Sequence, residues 1–316
     1  MNIWTLGDAV VDLLPLSDMQ YQACAGGAPF NVAIGAARLG CQSGFIGRVG
    51  EDDFGYFLKK TLSDAGVSTE SLQWDNQHRT STVLVSLGRA GERGFTFLTN
   101  PSADQFLTPD ALPGFSDDIL HFCSLALVAE TCRHTLVTAI NHVKQRGGLL
   151  SFDVNLREQM WPDKHEMLET VRHFSAQADI LKLSEEEWHW MTGSHNFSHA
   201  LNALNALPAQ LKVVTYGEQG AMVLWRDSVI HFDGYTVNSV DTTGAGDAFV
   251  AGLLAWIAHR GMPQNVEQLH QSIAQASACG ALATTRKGAL TALPDTNALN
   301  TFITRFSLPD YEVKKG

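Results

Sequence analysis

Apolar residues along the chain follow two alternating patterns. Short β-type runs occur at NIWTLG (2–7), SGFIGRVG (43–50), ILHFCS (119–124), LLSFDVN (149–155), ILKLS (180–184) and LKVVTYG (211–217). Between them lie segments of helical spacing. These are PFNVAIGAARLG (29–40), DFGYFLKKTLSDAG (53–66), TCRHTLVTAINHVKQRG (131–147), EMLETVRHFSAQA (166–178), EEEWHWM (185–191) and HALNALNAL (199–207). Strands that alternate with helices predict an α/β fold, with a mostly parallel central sheet flanked by helices on both faces. Two regions break the rhythm. Residues 8–25 hold strand-like pieces with no helix between them, and TSTVLVSLGRAGERGFTFL (80–98) reads as a hairpin around a glycine-containing turn. These segments predict a small secondary sheet, built from about 8–25 and 80–104, within one α/β unit spanning 1–316. Ligands of open α/β sheets bind beyond the carboxyl ends of the strands, so a sheet projecting there would act as a lid.

The third pattern is DTTGAGDAFVAG (241–252), where a glycine turn leads into an apolar helix. Glycines let backbone N–H groups approach a ligand closely. The first N–H groups of a helix lack intrahelical partners, and the helix dipole favours negative charge there. Gly244, Ala245 and Gly246 therefore form a candidate anion cradle. Asp247 sits behind it, badly placed to bind an anion but well placed to take a proton from a hydroxyl attacking one. The pairing points to phosphoryl transfer, with Asp247 as base. An aspartate-capped helix start after a glycine turn would look the same in sequence.

Composition narrows the partners. The 316 residues carry a net charge of −11, which disfavours a nucleic-acid backbone or an anionic membrane surface. The five cysteines are odd in number and lack a C-x-x-C pair, so reduced thiols are expected rather than disulfides or structural zinc. The N-terminus MNIWTLGDAVVDLLP has no basic stretch, and no apolar run reaches the ~18 residues of a membrane span. The expectation is a cytoplasmic protein. The chain contains no G-x-x-x-x-G-K-[ST], no H-E-x-x-H and no G-x-S-x-G, so P-loop, zincin and hydrolase-elbow chemistries gain no support.

Two further motifs flank the predicted cleft. In AGGAPFNVAIGAARLG (25–40), Gly26 and Gly27 stand where the first lid segment rejoins the sheet, and Asn31, early in the next helix, has amide groups suited to sugar hydroxyls. In GDAVVD (7–12), Asp8 and Asp12 can accept hydrogen bonds from hydroxyls.

AGGAPFNVAIGAARLGCQSGFIGRVG and DTTGAGDAFVAG together resemble the two signatures of the ribokinase-like carbohydrate kinase family. The resemblance runs along essentially the whole chain. Within the family it is strongest to bacterial fructokinases and aminoimidazole riboside kinases, through GDAVVDLLP, GERGFTF, PSAD, FDVNLR, KLSEEEW and KGALTALP. It implies an ATP-dependent sugar kinase of ribokinase-like fold with a β lid. Asp247 matches the family's base and Gly244–Gly246 its anion hole. Asp12, Gly27 and Asn31 match sugar contacts, with Asp8 and Gly26 beside them and Phe97 in the lid strand that closes over the sugar. Asn155 and Arg157 fall at a strand end facing the cleft, where arginine can clamp hydroxyls or a phosphoryl group. Thr215, Gly217 and Gly220 match the turn beside ATP, and Lys182 opens the KLSEEEW stretch assigned to the cofactor side. Glu187 matches the glutamate that places Mg2+, often through water; Ser184 stands where the family often has asparagine. ATTRKGALTALP resembles the K+ loop, with Asp241 and Thr243 on one side and carbonyls of Ala283, Arg286, Gly288 and Ala292 on the other. The edge strands of the lid would permit a homodimer, since exposed strand edges can pair.

Three functions fit these residues: a fructokinase, a riboside kinase of the same mechanism, and a sugar-binding regulatory protein that has lost catalysis. The intact Asp247 and glycine turn argue against the third.

Overall fold

The computed structural model describes residues 1–17, 19–87, 93–306 and 308–315. Fourteen strands are present among them. The first seven are β1 (Ile3–Leu6), β2 (Val10–Ser17), β3 (Gln20–Gly26), β4 (Ser43–Gly50), β5 (Leu72–Asp75), β6 (Ser81–Leu87) and β7 (Arg93–Phe97). The rest are β8 (Ile119–Cys123), β9 (Leu149–Asp153), β10 (Ile180–Ser184), β11 (Leu211–Thr215), β12 (Ala221–Trp225), β13 (Ser228–Phe232) and β14 (Tyr311–Lys315). The helices are α1 (Ala28–Arg38), α2 (Asp53–Asp64), α3 (Glu130–Gln145), α4 (Lys164–Ser175), α5 (Glu185–Thr192), α6 (Phe197–Asn205), α7 (Ala245–Arg260), α8 (Val266–Thr284), α9 (Ala289–Ala292) and α10 (Thr296–Arg305).

The large sheet runs β14-β13-β12-β11-β10-β9-β8-β1-β4-β5. From β5 to β11 every pairing is parallel, and the three pairings from β11 to β14 are antiparallel. The parallel strands are buried on both faces, which is why ILHFC and ILKLS read as continuous apolar runs rather than alternating ones. One face packs on α3–α6, where Phe122 and Phe152 of adjacent strands stack at 4.7 Å. The other packs on α1, α7, α8 and α10. Gly35 permits α1 and α7 to approach closely, since a Cβ there would lie 2.6 Å from that of Ala251.

The expected second sheet exists, in the order β3-β2-β6-β7. β2 pairs antiparallel with β3 and parallel with β6, and β6 pairs antiparallel with β7. The turn expected around residues 88–92 lies outside the described residues. After β7 and the Leu98 N bond to Thr82 O, the chain leaves the small sheet, and Ala103 is fully buried at the start of a short 3-10 helix. The five cysteines are free thiols, three of them buried. No helix among the described residues is long and apolar enough to cross a membrane.

Candidate active site

The site lies where the carboxyl ends of β1, β8, β9 and β10 meet the start of α7. Gly244 caps that helix in the left-handed region, with φ of 76°. Glycine is required twice over at this position. A Cβ would lie 2.8 Å from that of Ala289, and an L-residue would be strained at this φ. Asp247 follows in the first helical turn. One of its oxygens accepts a 2.7 Å hydrogen bond from the Asn31 amide, brought by α1 from 216 positions away. Burial pushes the Asp247 carboxyl above its ordinary range, while Asn31, Lys182 and Arg157 pull it back.

Two cavities meet at this turn. The first has a volume of about 230 Å³ and is walled by Asp8, Asp12, Asn31, Asn155, Arg157 and Asp247, with Gly27, Gly244 and Gly246 giving close backbone approach. The small sheet covers it with Val83, Phe95 and Phe97. The second has a volume of about 620 Å³. Thr215, Gly217 and Gly220 line it beyond β11, as do Ala245 and Gly246 at the start of α7. Its apolar wall comes from Tyr235, Val237 and Phe249, and Ser277, Gly280, Ala281 and Thr284 of α8 form the far side. Gly246 borders both cavities, so the glycine turn is the wall between them.

The β1–β2 connection holds Asp8 almost buried, and desolvation together with nearby Asp104 raises its carboxyl to about 7. Gly26 is not itself part of the cavity wall. It makes room for Asp12 instead, since a Cβ there would lie 2.5 Å from an Asp12 oxygen. Asn155 adopts φ of 38°, unusual for a residue with a side chain. Its carbonyl accepts from the Ser124 hydroxyl at 2.9 Å, and the next N–H, of Leu156, donates to Glu187 at 2.8 Å. These bonds hold Arg157 at the cleft mouth.

The surroundings of Lys182, Glu187 and Gly288 bear on their expected roles. Lys182 lines the first cavity, not the second, because its Nζ sits 3.0 Å from both oxygens of Asp153. Burial opposes the ammonium charge, but Asp153 and Glu187 outweigh it and hold the pKa above the ordinary lysine value. Glu187 lies outside both cavity walls. One of its oxygens accepts from Leu156 N and the other from Ser184 N, closing a capping box at α5. Each carboxylate oxygen holds one backbone donor, an arrangement compatible with the expected contact to magnesium through water. The carbonyl of Gly288, expected to face a cation, also accepts from Ala292 N at 3.3 Å and Thr291 Oγ1 at 3.2 Å within α9.

Hydrogen bonds link the two segments expected around the cation. Asp241 accepts from Thr243 N and Oγ1 with one oxygen and from Gly288 N with the other, tying residues 241–243 to 286–288. Ala283 lies in the last turn of α8, where carbonyls lack helical donors. Ala292 ends α9, and Arg286 stands on the same side near it, facing a separate polar hollow. From α1, Arg38 donates to the carbonyls of Leu290 and Leu293 at 2.6 and 2.9 Å, clamping this segment against Gly244.

Sequence reasoning did not single out Asp153, Phe95 or the α8 wall. Asp153 had a signal, as the one charged residue of a mostly apolar strand, at its carboxyl end. The small residues of α8 look like ordinary helix packing.

Residues 3–296 match the pfkB family of carbohydrate kinases. The chain belongs to that family. It is 50% identical over 295 residues to a fructokinase of Klebsiella pneumoniae, covering 93% of this chain and 96% of that one. The fructokinase of Vibrio cholerae O395 in its fructose, ADP and calcium ion bound form superposes with a TM-score of 0.90 at 44% identity, covering 95% of this chain and 98% of that one. Aminoimidazole riboside kinase from Salmonella enterica, complexed with its riboside and an ATP analogue, gives a TM-score of 0.89 at 36% identity, covering 96% of this chain and all of that one. As a pfkB carbohydrate kinase, the chain is a phosphotransferase with an alcohol group as acceptor.

Proposed function

We propose that this carbohydrate kinase is an ATP-dependent fructokinase. The observation that supports it is the shared wall: a sugar-sized cavity about half polar in its lining and a larger, mostly apolar one meet at Gly246, with Asp247 lining the smaller. Asp8, Asp12, Asn31, Asn155 and Arg157 offer acceptors and donors in numbers suited to a polyhydroxylated sugar. The backbone turn and α8 wall of the larger cavity suit a nucleotide, with the phosphates directed at the α7 N-terminus. Among the relatives, identity is higher to bacterial fructokinases than to the riboside kinase.

Asp247 accepts the proton of the sugar hydroxyl as that oxygen attacks the γ-phosphorus, and ADP carries away the electrons of the broken P–O bond. The N–H groups of the Gly244–Gly246 turn stabilise charge on the transferred oxygens. Lys182 and Arg157 add positive charge beside Asp247. The small sheet acts as a lid that excludes water, so that sugar and not water receives the phosphoryl group. Magnesium bound with ATP would neutralise charge on the phosphates, with Glu187 helping to place it through water. A monovalent cation would rest against the Asp241 loop, with Thr243 and the carbonyls of Ala283, Arg286 and Ala292.

The test is ATP consumption with fructose, ribose, glucose, adenosine and aminoimidazole riboside, with magnesium and with or without potassium. Strong preference for fructose is the expected outcome. Preference for the riboside would overturn the substrate and keep the mechanism. Sugar binding without turnover on any of the five would overturn the kinase reading of the site.

A further inference from the structure

Asn31 stands in a position that a sugar contact alone does not explain. Its amide nitrogen donates to Asp247 Oδ2 at 2.7 Å, and the residue is 5% exposed. An ionised carboxylate only accepts hydrogen bonds, so the nitrogen end of the amide must face Asp247. That fixes the amide orientation and leaves Asn31 Oδ1 buried and without a protein partner. Asn31 also belongs to the wall of the sugar cavity. Buried polar atoms are seldom left unpaired, so Oδ1 is set to accept a hydroxyl of the bound sugar.

We infer that Asn31 is a positioning residue for the base: it keeps Asp247 ionised and aimed, and couples that ionisation to an occupied sugar site. This rests on Asp247 being the base. The coupling follows from the two ends of one planar amide. A sugar hydroxyl donating to Oδ1 holds the plane in the orientation in which the nitrogen donates to the carboxylate. A proton on Oδ2 would set an O–H against the N–H, and a proton on Oδ1 would leave Oδ2 a neutral and weaker acceptor, so either position weakens the contact. Bound sugar and ionised Asp247 therefore favour each other, and linkage makes the effect reciprocal.

The other charges around Asp247 come from every element packed on it. Lys182 of β10 and Arg157 after β9 favour its ionised form. Asp8 after β1 and Asp153 at the end of β9 oppose it. Cys123 at the end of β8 is a buried thiol whose own pKa is raised and stays neutral. Among these groups Asn31 makes the direct hydrogen bond, and a bond to a charged group of this kind corresponds to about one to two pH units.

The experiment is the pH dependence of kcat at saturating fructose for the parent, Asn31→Ser and Asn31→Asp, with Asp247→Asn alongside. In Asn31→Ser the acidic limb moves up by about one to two units, whatever happens to the height of the alkaline plateau. In Asn31→Asp a second carboxylate meets Asp247 and the limb moves up further. Isothermal titration of fructose adds a second readout: the parent releases protons on binding at a pH near the limb, and Asn31→Ser does not. Acidic limbs that coincide with the parent's in both Asn31 variants, with only KM for fructose raised, would reduce Asn31 to a sugar contact and overturn the inference. If Asp247→Asn kept parental turnover, the base assignment itself would fail, an outcome separate from the Asn31 result.

Discussion

The Lys182–Asp153 pair separates what holds the site together from what makes it work. Lys182 Nζ lies 3.0 Å from both Asp153 oxygens, with the side chains 10% and 2% exposed. Burial makes each charge expensive, and only the partner offsets it. Removing one partner strands the other, at a cost of about 3–5 kcal/mol. Lys182→Met keeps the chain length but leaves Asp153 among buried groups, so that it must take up a proton. Asp153→Leu leaves a buried ammonium. Changing both removes both desolvation costs, and such replacements are commonly neutral or stabilising. The double variant is therefore expected within about 2 kcal/mol of the parent, with a favourable coupling between the sites of at least about 2 kcal/mol. Turnover should not recover with stability. Lys182 Nζ would lie 3.3 Å from a Cβ built on Gly246, beside the turn proposed to receive the phosphoryl group, and a methionine carries no charge to place there. Urea unfolding of the parent, both singles and the double gives the cycle, and steady-state kinetics of the double gives the chemistry. Singles that lose less than about 1 kcal/mol, or a double less stable than the worse single, would refute the reasoning.

Two other outcomes follow from the same geometry. Gly244→Ala places a Cβ 2.8 Å from that of Ala289 and forces a left-handed alanine, at a cost of about 1–2 kcal/mol for the conformation alone. Its kcat should fall by more than tenfold with fructose affinity little changed, and unchanged kcat in stopped assays would contradict the anion-hole role. Asp8 has a folded carboxyl at about 7 against the ordinary 3.8, mainly through burial. The folded chain then binds more protons than the unfolded chain between those values. Stability from this group is full below about pH 4 and is lost as pH rises towards 7, on the order of a few kcal/mol. Asp8→Asn should therefore gain on the parent as pH rises; denaturation midpoints at pH 4.5 and 8 that show a constant gap would contradict this.

Much of this architecture was legible because the chemistry that specifies it is local. The parallel core strands announce themselves as apolar runs, since a strand covered on both faces has no reason to alternate. The glycine turn before α7 was readable because only glycine tolerates φ of 76° against Ala289. The small sheet was legible from β-rich runs with no helix between them. The α8 wall of the larger cavity was not, because Ser277, Gly280 and Ala281 are small residues whose pattern serves helix packing and ligand approach equally well. β14 escaped for a different reason. YEVKK is short and charged in sequence, and among the described residues it pairs with β13 at the sheet's edge.

Glu187 and Asn31 show why the finer assignments needed coordinates. Both were placed by motif, and in both cases the residue's near surroundings decide the role. Three consecutive glutamates at the start of α5 complement the helix dipole whichever of them does anything else. Only the fold reveals that the third closes a capping box with Ser184 and holds Leu156 N, so that it shapes the loop carrying Asn155 and Arg157. Asn31 belongs to a helix whose start is readable and whose direction is not. Nothing in positions 25–40 says that this helix will lie against α7 so closely that a glycine is needed at 35, nor that the amide will then meet a carboxylate 216 positions away. The contact that tunes the base is therefore a product of helix packing. A substitution at Gly35, far from substrate, should shift the acidic limb of kcat in the same direction as Asn31→Ser, because it pushes α1 off α7 and stretches the same hydrogen bond.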